Sequence, residues 1–131
     1  VMTAEGAEKC AEGGCGGIIV STHGGRVMPA AQATAEVLPE IRRAVGDALT
    51  IIVDGGIRTG ADIFKVLALG ADAAMIGRPF VTAAVGGYAL GDGAEGVAAY
   101  AGAKRAELEN LMIMTNCPDV KSITAGKIAL R

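Results

Sequence analysis

The chain has 131 residues, with 12 basic and 14 acidic side chains and a formal net charge of −2. That length fits one domain over residues 1–131, and the near-balanced charge and lack of tryptophan exclude the usual nucleic-acid binders. Although 51% of residues are hydrophobic, no apolar run reaches the roughly 18 residues that cross a membrane.

Thr3 is placed to cap a first helix running to residue 12, with Ala4, Ala7 and Ala11 along one face. Cys10, Cys15 and Cys117 are odd in number and fit no zinc spacing. Free thiols in a reducing compartment are the expectation, with no metal site. Residues 1–5 show no basic leader, so a cytoplasmic location is expected.

An apolar run at 17–20 predicts a buried strand and leads into Ser21-Thr22-His23-Gly24-Gly25-Arg26. Residues 34–45 carry Val37, Leu38, Ile41 and Val45 at helical spacing and stop at Gly46. A second strand at 50–53 leads into Asp54-Gly55-Gly56-Ile57-Arg58. Thr59 and Asp62 form a capping-box pattern for a helix that ends near Gly70. A third strand at 73–76 leads into Gly77-Arg78-Pro79, a surface turn if taken alone and a second glycine-and-arginine strand end if taken with residues 54–58. Asp92 and Glu95 suggest another capping box, opening the longest helix, with Val97, Ala101, Leu108, Leu111 and Met112. Pro118-Asp119 breaks the chain before a short helical turn at 120–123. Arg42-Arg43 and Lys104, Arg105, Glu107 and Glu109 read as solvated helix faces.

The strand runs lack polar alternation, as expected when both faces of a parallel sheet are covered. The class is α/β: about three parallel strands alternating with four helices. A (β/α)8 (TIM) barrel needs about 250 residues. This pattern therefore fits the C-terminal portion of such a barrel. Three strands leave two unpaired edges, so the missing N-terminal half-barrel, further copies of the chain, or both are expected as partners.

His23 is the sole histidine, placed at a strand end, where a neutral imidazole can take a proton. Arg26 can hold a carboxylate with its two-pronged guanidinium. Together they point to a small organic acid. The glycines after the second and third strands free backbone N–H groups for an anion, and Arg58 and Arg78 add full charges. The helix start after Arg58 is expected to add its dipole. Consecutive strand ends of this type match the phosphate loops of barrels.

The blocks Ser21–Arg26, 36–41, 54–58, 65–71 and 76–79, in this order, resemble the FMN-dependent α-hydroxy-acid oxidases and dehydrogenases. The resemblance covers nearly the whole chain. It implies FMN as cofactor and oxidation of a small 2-hydroxy acid to a 2-oxo acid. It implies His23 as the base and Arg26, with His23, as the substrate contact. Ser21 is implied to touch the flavin, with Asp54, Gly55, Gly56, Arg58, Gly77 and Arg78 completing the cofactor site. The chain departs from the family at Thr22, where asparagine is usual, at Val27-Met28-Pro29 and at Arg58-Thr59. By the same resemblance the chain begins after the family's fifth strand, so alone it is expected to turn over little or nothing. Inosine monophosphate dehydrogenase and type 2 isopentenyl diphosphate isomerase share the Asp-Gly-Gly and Ala-Leu-Gly-Ala stretches, and His-Gly-Gly-Arg discriminates against them. A half-barrel serving only as an assembly module is the non-catalytic alternative.

Overall fold

Strands β1 (Gly17–Ser21), β2 (Thr50–Asp54) and β3 (Ala73–Met75) lie side by side in that order, all parallel. Parallel neighbours cannot be joined by a tight turn, so a helix carries the chain back each time. Helix α1 (Ala4–Glu12) precedes β1, α2 (Thr34–Val45) links β1 to β2, and α3 (Gly60–Ala68) links β2 to β3. Helices α4 (Arg78–Ala89) and α5 (Gly93–Met114) follow. The computed structural model describes residues 1–129. Among these, no helix is long and apolar enough to cross a membrane.

Successive strand residues point to opposite faces, and the two faces differ. Val20, Ile51 and Val53 meet Leu38 and Ile41 of α2 in a core from which water is excluded. Each such side chain stabilises the fold by about 1.5–3 kcal/mol. The other face carries Ile19 and Met75, 44% and 40% exposed. The expectation of strands covered on both faces is therefore met on one face only. A second cluster joins Phe64 and Leu67 of α3 to Leu108 and Leu111 of α5, with Cys117 and Ile123 from the C-terminal segment.

The capping signals act locally as expected, with one exception. Thr3 Oγ1 accepts from the Gly6 N–H at 3.1 Å. Thr59 Oγ1 accepts from Asp62 N–H, and Asp62 accepts in return from Thr59 N–H. Asp92 accepts from Ala94 and Glu95 N–H groups, but its own N–H donates to the Gly87 carbonyl. Glu95 therefore has no N–H left to cap there, and that box is only half formed. The short turn near the C-terminus covers Val120–Ser122.

The expected four helices are five, because α4 occupies residues 78–89, to which the sequence reading assigns no element. Pro79 suits a first helical turn. However, Gly86 and Gly87 lie inside the helix and no clear apolar stripe marks it. The reason for Gly87 is contact. A β-carbon on Gly96 of α5 would lie 2.3 Å from the Ala83 carbonyl oxygen and 2.8 Å from Gly87 Cα. The two helices cross where neither has a side chain.

Two polar groups read as solvated faces instead tie elements together. Arg42 donates to the carbonyls of Gly70 and Gly46, each at 2.6 Å, and pairs with Asp72. Asp72 also accepts the Ile51 N–H at 2.7 Å, so α2, β2 and the entry to β3 share one clamp. On α5, Glu107 accepts the Gly60 N–H at 2.6 Å and pairs with Lys104. The Gly60 N–H, followed by the Lys104 side chain, holds the Glu107 carboxyl below its ordinary pKa. Asp62 is also below its ordinary value. Burial pushes it up, but the Thr59 hydroxyl and the N–H groups of Arg58 and Thr59 outweigh that.

Gly96→Leu is expected to lift α4 off α5 and lower stability by about 1–3 kcal/mol, the usual range for overpacking. Urea unfolding and protease cleavage within residues 78–91 measure this; an unchanged midpoint with intact protease resistance contradicts the crossing. Glu107, with its depressed pKa, stabilises the fold above the carboxylate range and loses that contribution as pH falls through its folded pKa. The stability gap between the native chain and Glu107→Gln should be widest near neutral pH and close in acid. A gap that does not vary with pH contradicts the contact.

Candidate functional site

All the crossovers return the chain to the same end of the sheet, so the three strand tips open side by side. The register pairs Ser21 with Asp54 and Asp54 with Met75. The loops after these residues surround a cleft of about 240 Å3. His23, Arg26, Asp54, Gly55, Gly56 and Arg58 line it, as do Gly77 and Arg78. Those are the residues singled out from sequence, with one exception. Ser21 is buried next to the cleft rather than lining it.

Ser21 Oγ donates to Asp54 Oδ2 at 2.6 Å and accepts the His23 N–H at 3.0 Å. A hydrogen bond to an ionised carboxylate contributes about 1.5–3 kcal/mol. His23 has φ of 52°, in the left-handed region. A residue with a β-carbon held there costs roughly 1–2 kcal/mol. Gly24 and Gly25 follow at φ of 71° and 74°, where glycine adds no such cost. The β1 tip thus reverses sharply and leaves the imidazole exposed at the cleft.

The cleft carries excess positive charge. Arg26, Arg58 and Arg78 are exposed and, among the described residues, take no part in an ion pair. Arg42 and Arg105, by contrast, are both paired with carboxylates. Asp54 is the one carboxylate lining the cleft, and Ser21 donates to it. The backbone N–H groups of Gly55, Gly56, Gly77 and Arg78 donate to no acceptor among the described residues. Gly55 and Gly56 have φ of 113° and 77°, and a β-carbon on Gly56 or Gly77 would project into open space. Uncommitted amides beside two guanidiniums form a donor set for a tetrahedral anion.

The two helix starts near the cleft differ in how many of their N–H groups are taken. At the start of α3 the N–H groups of Arg58, Thr59, Gly60 and Asp62 are spent on Asp62, Glu107 and Thr59. Helix α4 begins at the cleft edge with no side-chain cap, so its positive end is available there.

Four further residues line the cleft: Gly24, Ile57 and Pro79 stand inside the motifs read from sequence without a role of their own in the site, and Met75 lies outside those motifs. Met75 was reachable through register alone, because it sits beside Asp54. Tyr100 also matters, since its hydroxyl donates to the Arg58 carbonyl at 2.9 Å. Its ring meets Phe80 edge-on, with centroids 5.0 Å apart. Its spacing with Lys104, Glu107 and Leu108 on α5 was the signal, one helical face turned toward the α3 start.

Known proteins resemble the chain in sequence and in structure. The family model described as FMN-dependent dehydrogenase matches residues 1–130. The chain is 46% identical to the L-lactate oxidase of Lactobacillus jensenii, over 98% of its own length and 30% of that protein. It is 44% identical to a peroxisomal (S)-2-hydroxy-acid oxidase of Oryza sativa subsp. japonica, over 98% of itself and 34% of the relative. A crystal structure of mandelate oxidase superposes with a TM-score of 0.87 at 35% identity, covering 95% of this chain and 36% of that one. The chain spans about a third of the length of these relatives and has the architecture of part of their barrel. A match over nearly every residue, in both sequence and fold, shows that the chain belongs to the FMN-dependent dehydrogenase family.

Proposed function

We propose that this chain is the base-and-phosphate part of an FMN-dependent oxidoreductase that converts a small 2-hydroxy acid to a 2-oxo acid. The observation that carries the reading is the single cleft in which His23 and Arg26 meet the Asp54–Arg58 and Gly77–Arg78 loops. The donor set fits a flavin phosphate. Gly55, Gly56, Gly77 and Arg78 supply amides, and Arg58 and Arg78 supply charge. An FMN held by these groups would supply the two-electron acceptor needed for the substrate's alcohol carbon to become a carbonyl. The same oxidation releases two protons, and the His23 imidazole takes one of them. Arg26 holds the substrate carboxylate through paired N–H bonds and so fixes the alcohol carbon toward the base. Asp54 and Ser21 support the His23 turn from behind.

The remaining walls of the site belong to the rest of the barrel. The exposed face bearing Ile19 and Met75 supports the same conclusion. We propose an N-terminal half-barrel, with or without further copies of the chain, as the partner that covers it. Alone, the chain has a proton acceptor and an anion cradle but cannot hold flavin against substrate. The free thiols Cys10, Cys15 and Cys117 support a reducing compartment, here the cytoplasm.

A chimera tests this reading: the chain joined to the N-terminal two-thirds of the Lactobacillus jensenii L-lactate oxidase. We expect it to bind FMN and to reduce it with a 2-hydroxy acid. His23→Ala should lower kcat by about 10²–10⁴-fold, the usual effect of losing a general base, with flavin retained. Arg26→Leu should raise KM. Arg58→Ala with Arg78→Ala should weaken FMN far more than riboflavin. A folded, flavin-loaded chimera inert to glycolate, lactate and mandelate overturns the proposal.

A further inference from the structure

We infer that Ser21 and Asp54 form a positioning pair that holds the His23 backbone in its left-handed conformation. This rests on the reading of His23 as the base. The register sets Ser21 of β1 beside Asp54 of β2 at the last rung of the sheet. The Asp54 carboxylate takes the Ser21 hydroxyl proton at 2.6 Å. That fixes the rotor of a hydroxyl that otherwise turns freely, and leaves a lone pair facing the His23 N–H at 3.0 Å. Ser21 is 8% exposed, so water competes little for either bond.

The backbone conformation of His23 gives such a device something to offset. Asn116 is the one other described residue besides the glycines with positive φ; histidine and asparagine are both among the types found there more often than most, yet each still has the β-carbon that makes this conformation costlier than it is for glycine. Glycine at position 23 would turn without cost, but glycine carries no imidazole. The site combines the side chain with the reversed backbone, and the Ser21 contact to the His23 N–H offsets part of the cost of that conformation. The link runs from the phosphate-side loop, through Asp54 and Ser21, to the base. Each step is a hydrogen bond in the structure. Ser21 therefore acts through His23, and its hydroxyl has one acceptor site left for a flavin donor.

Nuclear magnetic resonance on the intact chain tests this without flavin or substrate. Positive φ brings a residue's amide and Hα protons close, so His23 should give a strong intraresidue amide–Hα Overhauser effect. In Ser21→Ala that signal should weaken several-fold, with the amides of residues 50–53 unshifted. Ser21→Thr, which keeps the hydroxyl, should retain it. Asp54→Ala keeps Ser21 but removes its acceptor, and should weaken the signal likewise; this variant decides the matter if Ser21→Ala does not fold. An unchanged His23 signal in a folded Ser21→Ala or Asp54→Ala chain overturns the pair, as does its loss in Ser21→Thr. An active chimera beside an unchanged signal removes the pair and keeps the function; an inert chimera beside a weakened signal does the reverse.

Discussion

The site depends on the parallel register of three short strands. Parallel pairing with helical returns forces every strand's C-terminal tip to one edge of the sheet. In this chain the last rung reads Ser21, Asp54, Met75. A slip of one residue would turn each of these side chains to the opposite face. The helix-facing residues Val20 and Val53 are fully buried, and their partners Leu38 and Ile41 leave no room for such a slip. The apolar core thus fixes the polar site by fixing register, and the Arg42–Asp72 clamp holds β2 and the entry to β3 at the other end.

Chemical roles divide along the chain in a way that follows from local geometry. The β1 tip carries a β-carbon in the left-handed region, and the hydrogen bond from below offsets part of that cost. The β2 and β3 tips use glycine, so their amides stay uncommitted and available to an anion. Helix α3 is closed off by its own capping box and by Glu107, whereas α4 starts open at the cleft. Of these two helix starts, the one left uncapped at the cleft is that of α4.

Much of this was legible in the residues, and the rest was hidden for physical reasons. The strands, the Thr59 capping box and the histidine–arginine tip follow from apolar runs, cap chemistry and glycine placement, which are local signals. Helix α4 was not legible, since Gly86 and Gly87 sit inside it and its docking depends on a glycine of another helix. The clamp of Arg42 and the grip of Glu107 on α3 were also hidden, because their partners lie 28 and 47 residues away. Their side chains look like any solvated charge until the fold brings those partners close. Ser21 stood in the right motif, but only the register shows that its hydroxyl faces Asp54 and His23.

The converging strand tips are tested most directly by titrating the isotopically labelled chain with FMN and, separately, with riboflavin. FMN should move the amide signals of Gly55, Gly56, Gly77 and Arg78 in a saturable way, together with His23, and riboflavin should leave the four amides unmoved. Equal shifts from both ligands, or FMN shifts confined to residues outside these loops, contradict a phosphate cradle beside the imidazole.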